Sequence, residues 1–282
     1  MTEEQERVRP SGVWATAVGV ARVRALETGR DDALFRDPLA QAFAAAGGLW
    51  PSSPPPGDEA ARRRRLAVSF SIVIRTKFLD DLLLRASASG VRQVVLLGAG
   101  MDSRAFRMDW PEGTRLFEVD TAAPLEFKAS VLRQERAIPR CERITVAVDL
   151  REDWPAALAA AGHDPTVPTA WIAEGLLIYL PADAVELLLA RISTQSAAGS
   201  RMGLTLGSRG VIERFGADAA PGSAASMWMS EMPDDPLGWL AGHGWEADSH
   251  TLRERAAAYG RPISTPPQRE ERPGGLISAV RR

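Results

Sequence analysis

Lysine is nearly missing from this chain: of 34 basic residues, Lys77 and Lys128 are the two that are not arginine. Schiff-base chemistry and lysine-dependent reductase chemistry therefore have almost nowhere to reside. Histidine is scarce as well, with His163, His243 and His250 making up the set. Cys141 is the single cysteine, which excludes an intrachain disulfide and a cysteine-based zinc site. No metal ligands are assigned. The longest strongly apolar runs, at 94–97 and 176–180, fall far short of the ~20 residues a membrane-spanning helix needs. Residues 1–10 are acidic and polar and lack the apolar stretch of a secretory leader. The expected location is the cytoplasm. A net charge of −2 supplies no bulk positive field, so neither nucleic acid nor a membrane is expected as a partner.

What remains is the composition of an ordinary folded protein, 45% hydrophobic and 25% charged over 282 residues. That length allows one large domain or two unequal ones. The first ninety residues read as helices: one over 16–27, a second from Asp37-Pro38 to Ala46 that stops at Gly47-Gly48, and a long third over Glu59–Ala88. Between the last two, residues 50–58 carry four prolines and read as a surface loop. The arginine run at 62–65 reads as a solvated helix face. From Val91 onward, strands alternate with helices, the signature of a parallel sheet with crossover helices. Candidate strands are Gln93–Leu97, 115–119, 143–148, 170–173 and 202–206, followed by Trp245–His250 and 276–280. The expected fold is α/β: a doubly wound, seven-stranded, mostly parallel sheet whose last two strands form an antiparallel pair. The helical segment, 1–90, is expected to cap a core spanning 91–282. Residues 208–236 interrupt the alternation and are rich in glycine, alanine, serine and methionine, with Trp228 between Met227 and Met229. They read as a substrate lid, because apolar segments with methionine and aromatic side chains line adaptable pockets.

The first strand runs into Gly98-Ala99-Gly100-Met101-Asp102-Ser103-Arg104. Two glycines let the backbone turn tightly and approach a ligand, and the helix that follows offers free N–H groups. The dinucleotide fingerprint fails at its last position, where Ser103 stands. The second strand ends at Asp120, 22 residues after Gly98, where a carboxylate can accept both hydroxyls of an adenosine ribose. The third ends Val148-Asp149-Leu150, an acid for an adenine amine followed by an apolar residue to pack on the ring. The fourth ends at Glu174, flanked by apolar residues, and a buried carboxylate there needs a cationic partner such as Arg75 or a cofactor.

Together, Gly-Met-Asp-Ser-Arg, Phe117-Glu118-Val119-Asp120, Val148-Asp149-Leu150 and Glu174-Gly175-Leu176-Leu177-Ile178-Tyr179-Leu180 resemble the leucine carboxyl methyltransferase-like family. More narrowly, the chain is similar to that family's bacterial small-molecule branch of S-adenosylmethionine-dependent O-methyltransferases, from about Thr16 to the C-terminus. Thr16-Ala17-Val18-Gly19-Val20 and Leu34-Phe35-Arg36-Asp37-Pro38 look like the same branch. The resemblance implies a class I methyltransferase-like fold and S-adenosyl-L-methionine as cofactor. It also implies that Arg75 meets the methionine carboxylate and that Gly98 and Gly100 border the cofactor's amino-acid part. Asp120 then takes the ribose, Asp149 and Leu150 the adenine, and Glu174 the methionine amine. The family's N-terminal lysine has no securely aligned counterpart, since Arg22 and Arg24 are the nearest candidates.

An ionised carboxylate acceptor needs no general base at neutral pH, whereas a phenol, with a pKa near ~10, benefits from one. No histidine adjoins the motifs, so a carboxylate of a polyketide-like or other secondary metabolite is the expected acceptor and a phenolic hydroxyl the alternative. Tyr179 is the candidate acceptor-side hydrogen-bond donor. An NAD(P)-dependent oxidoreductase is a further alternative, weakened by Ser103 and by Asp183 standing four residues after Tyr179 where a lysine would be required. A non-catalytic cofactor-binding protein is the last.

Overall fold

β1 (Gln93–Leu97) is buried at every position, and its aliphatic run leaves neither face for water. Such a strand belongs in the middle of a sheet covered on both sides. It pairs in parallel with β2 (Arg115–Asp120) on one side and β4 (Thr169–Ala173) on the other, Gln93 lying opposite both Arg115 and Thr169. β3 (Glu142–Ala147) extends the sheet beyond β2, and β5 (Arg201–Thr205) extends it beyond β4. β7 (Leu276–Arg281) lies antiparallel between β5 and β6 (Trp245–His250), giving the order β3-β2-β1-β4-β5-β7-β6. The computed structural model describes residues 10, 12–49, 59–207, 224–231, 233–263 and 275–282. The proline-rich stretch 50–58 and residues 208–223 and 232 of the expected lid lie outside them.

Alternate side chains divide the core in two. Val94 and Leu96 of β1 join Leu116, Ala170 and Ile172 in a cluster with Val18 and Ala21 of α1 (Ala15–Thr28), Phe43 of α2 (Ala40–Ala46), and Ile74, Phe78 and Leu83 of α3 (Glu59–Ala88). Val95 and Leu97 point the other way, onto Phe117, Trp171, Met202 and Leu204. That cluster also takes in Trp154 and Leu158 of α6 (Trp154–Ala160) and Leu188, Leu189 and Ile192 of α7 (Ala182–Thr194). The N-terminal helices and the sheet therefore share one apolar cluster. α4 (Arg104–Arg107) and α5 (Ala122–Gln134) complete the first half. α8 (Pro236–Gly242) and α9 (Leu252–Ala258) flank β6, and α9 is opened by a capping box between Thr251 and Glu254. Among the described residues, no helix is long and apolar enough to cross a membrane.

The expected seven strands are present, shifted by a residue at several ends. α2 begins two residues later than the sequence pattern predicts. Asp37 spends its carboxylate on the Leu39 amide and on Arg24, so Pro38 and Leu39 form a turn before the helix. Strand order reverses between β1 and β4, since their crossovers leave on opposite sides. A crevice at the carboxyl ends of these two strands is where open α/β sheets bind ligands.

Candidate active site

The turn after β1 holds Gly98 at φ +63° and Gly100 at φ +41°, backbone geometry that side chains with a Cβ rarely adopt. It is also crowded: a Cβ on Gly98 would meet Leu176 Cδ1 at 2.9 Å, and one on Gly100 would meet the Ala17 methyl at 2.9 Å. α1 therefore packs directly on the turn. Arg24 of α1 strengthens that contact by donating to the Met101 carbonyl while its Nε donates to Asp37 at 2.8 Å. Arg24 is thus buried and committed within the fold.

Asp120, at the tip of β2, accepts from the Gly100 amide through Oδ2 and from the Thr121 amide through Oδ1, each at 2.7 Å. Burial raises its carboxyl above the usual range, and the two amides pull it part of the way back. One strand further out, the Val148 amide donates to the Asp120 carbonyl at 2.9 Å, so Asp149 and Leu150 follow directly beside it. Leu150 packs at the edge of the second apolar cluster. Asp149 is half-exposed and gripped by Arg151, whose Nε lies 3.0 Å from Oδ1, a bond that lowers the carboxyl's pKa. Arg151 is itself 69% exposed, so the pair is open to competition from a ligand.

At the other wall of the crevice, Glu174 Oε1 accepts from Arg75 Nε at 3.0 Å and from the Thr76 hydroxyl at 3.3 Å. Its Oε2 accepts from Arg104 Nη2 at 2.8 Å. Burial by itself would raise this carboxyl; Arg104 and then Arg75 outweigh burial and hold it below the usual range. The same balance operates at Asp102, where Arg104, Lys128 and Arg107 overcome burial and hold the carboxyl at about 2. Arg75 was expected beside Glu174. Arg104 was not, although it closes the glycine motif, because its guanidinium reaches back to Asp80 on α3 and across to β4. A buried arginine directly after a glycine turn with several acids elsewhere was the available signal. Lys77, by contrast, turns to Asp81 at 2.5 Å and lies over the Tyr259 ring, away from Arg75 and Glu174.

The chain after Glu174 makes a single 3-10 turn, Leu177–Tyr179. Tyr179 is half-buried there, and its hydroxyl has no hydrogen-bond partner among the described residues. The part of the expected lid within the described residues docks on this turn. The Met229 amide donates to the Ile178 carbonyl at 2.7 Å, and the Ser230 hydroxyl donates to the Leu177 carbonyl at 2.7 Å. Beside them, the Trp228 Nε1 is buried without a hydrogen-bond partner. Each histidine is occupied elsewhere: His163 with Thr169, His243 with Glu186, and His250 with Ser278 and Arg255. Arg62, Arg63 and Arg64 are exposed, the first two lying near Glu59, as a solvated face requires.

Residues 17–193 match the sequence profile of the leucine carboxyl methyltransferase family. The chain belongs to this family. It is 92% identical, over the full length of both chains, to an inferred S-adenosyl-L-methionine-dependent methyltransferase of Streptomyces avermitilis. A protein of Rhodococcus jostii with the same inferred activity is 44% identical, the match covering 92% of this chain and 91% of the relative. Among solved structures, a DUF574 family protein from Streptomyces avermitilis superposes with a TM-score of 0.57 at 15% identity, covering 93% of this chain and 97% of the other. A methyltransferase assigned in Thermobifida fusca gives a TM-score of 0.55 at 16% identity, covering 98% and 96%. The architecture is the class I methyltransferase fold. Within it, the profile match spans every motif from α1 to α7, so the glycine turn, Asp120, Asp149 and the Glu174 segment all fall inside the family's own region.

Proposed function

We propose that this chain is an S-adenosyl-L-methionine-dependent O-methyltransferase acting on a small-molecule acid, in the cytoplasm, and forming a methyl ester. The observation that carries the reading is the pair Arg75 and Glu174 at the crevice, 3.0 Å apart. Arg75 spends its Nε on Glu174, and its two terminal nitrogens have no partner among the described residues. A free guanidinium edge beside a carboxylate suits a zwitterion: carboxylate on Arg75, ammonium on the remaining lone pair of Glu174 Oε2. Across the crevice, Asp120 offers an acceptor to ribose hydroxyls, and the tight turn through Gly98 and Gly100 would border the amino-acid part with backbone. Asp149 serves the adenine amine once Arg151 swings aside, and Leu150 packs on the ring. When bound, the cofactor supplies an activated methyl group on a sulfonium.

The chain's own contribution is alignment and exclusion of water. The first helix closes one wall through Ala17 and Arg24, and on the acceptor side residues 229 and 230 are tied to the turn at 177–178. Tyr179 then presents an uncommitted hydroxyl to the acceptor. A carboxylate is favoured over a phenol because it arrives ionised, and no histidine is left over to serve as base. A polyketide-like or other secondary metabolite is the class of acid we assign.

Incubation with methyl-labelled S-adenosylmethionine and a panel of aromatic and polyketide-like acids and phenols, read by mass spectrometry, tests this directly. Label that is released by mild base marks an ester and supports the reading. Base-stable label marks a phenol ether and moves the acceptor to a hydroxyl. No transfer to any acid or phenol, and no binding of S-adenosylhomocysteine, would overturn it.

A further inference from the structure

The two arginines on Glu174 are not equivalent. Arg104 is 1% exposed, and every nitrogen of its guanidinium is engaged. Its Nε lies 2.7 Å from Asp80 Oδ1, Nη1 donates to Asp102, and Nη2 lies 2.8 Å from Glu174 Oε2. Arg107 holds the far side of Asp80 with two bonds of 2.7 Å. The space next to Arg104 is a cavity of about 10 Å³ that Glu174, Asp102 and Thr76 also border, room for about one water molecule. A ligand therefore reaches Glu174 from the side of Arg75, which is 19% exposed and uses one nitrogen of three.

We infer that Arg104 is a positioning residue, which clamps Glu174 from behind so that the carboxylate stays in place when Arg75 turns its outer edge to a ligand. This rests on the methyltransferase reading above. Arginine suits the task because one planar fork meets three carboxylates from three segments: Asp80 on α3, Asp102 in the glycine turn, and Glu174 after β4. The charge of Arg75 is shared once a ligand carboxylate binds to it. Arg104 is the cation that remains wholly on the protein's side, so Glu174 keeps its charge for an ammonium group. The groups that face Glu174 are Arg75 and the Thr76 hydroxyl from α3, and Asp102 and Arg104 from the glycine turn and α4. Behind them stand Asp80 and Arg107, with Lys128 acting on Asp102 from α5.

The test is calorimetric titration with S-adenosylhomocysteine at pH 6.0 and 8.0 on the wild type, R104Q, R104K, E174Q and the R104Q/E174Q double variant. Circular dichroism and thermal midpoints are taken for each. The wild type is expected to bind alike at both pH values. R104Q is expected to bind about tenfold more weakly at pH 6.0 than at pH 8.0, because a half-buried Glu174 short of one cation titrates closer to neutrality. R104K, which restores the charge without the fork, is expected to regain the flat profile with intermediate affinity. In the double variant, R104Q should add less than about twofold to the loss caused by E174Q, since both act through one carboxylate. Wild-type affinity in R104Q, or a loss that is equal at both pH values and fully additive with E174Q, overturns the inference. Should R104Q not fold, the cycle is run with R104K/E174Q, where full additivity has the same meaning. A wild-type protein that binds no S-adenosylhomocysteine overturns the cofactor reading itself, an outcome distinct from any pattern among the variants.

Discussion

The Gly100 amide donates a 2.7 Å hydrogen bond to Asp120 Oδ2, joining the turn after β1 to the tip of β2. Two adjacent parallel strands end in one loop-and-carboxylate unit beside the β1–β4 boundary where strand order reverses. The bond offsets part of the push toward the neutral form that burial exerts on this acid.

Replacing Asp120 with asparagine keeps the shape and one amide acceptor but removes the charge. Hydrogen bonds to charged groups are worth roughly 1.5–3 kcal/mol, so D120N should bind S-adenosylhomocysteine about 10- to 100-fold more weakly. Its thermal midpoint should move by only a few degrees, since the Gly100 contact survives. Calorimetry and a thermal melt on the same sample check both halves. Unchanged affinity would remove Asp120 from the ribose position.

Gly100 is subject to two separate constraints, its φ of +41° and the 2.9 Å approach of the Ala17 methyl. G100A should cost about 1–3 kcal/mol in urea denaturation. G113A, at φ +77° with nothing within 4 Å of the new methyl, isolates the backbone component and should cost about 1 kcal/mol. Adding A17G to G100A should restore the difference between the two. No restoration would mean that α1 does not press on the turn.

His163 is buried between Phe117 and Trp171, with Nε2 3.1 Å from the Thr169 hydroxyl, and burial lowers its pKa to about 4. The unfolded chain, with an ordinary histidine near ~6.5, binds the proton first, so this group withdraws stability as pH falls from 6.5 toward 4. Between pH 7.5 and pH 5 that amounts to about 2 kcal/mol. H163Q keeps a hydrogen-bonding group at the site and cannot titrate there. Its loss of stability over the same pH interval should be smaller than that of the wild type by about this amount. Equal losses in the two proteins would show that His163 is not the group being protonated.

Much of the architecture was legible locally. Uninterrupted aliphatic runs such as Val94-Val95-Leu96-Leu97 belong only in a sheet covered on both faces, and the glycine turn and the strand-end acids Asp120 and Asp149 are placed by the strands that carry them. Even the antiparallel end of the sheet was read from the two short C-terminal strands. That β7 slots between β5 and β6 was not, because pairing order depends on which edges the crossovers leave open.

By itself, the sequence determined the fold class, the glycine turn after β1, and the acids at the ends of β2, β3 and β4. These follow from hydrophobic periodicity and from residues adjacent to the strands they terminate. Only the tertiary structure decided how those side chains are divided between support and binding. Arg104 and Glu174 are 70 residues apart and Arg75 and Glu174 are 99 apart, yet one carboxylate holds both guanidiniums. No pattern along the chain separates the arginine whose nitrogens are all spent inside the protein from the one that keeps an open edge. That distinction comes from burial and from the three carboxylates the fold brings around Arg104, where desolvation makes every hydrogen bond of the fork obligatory.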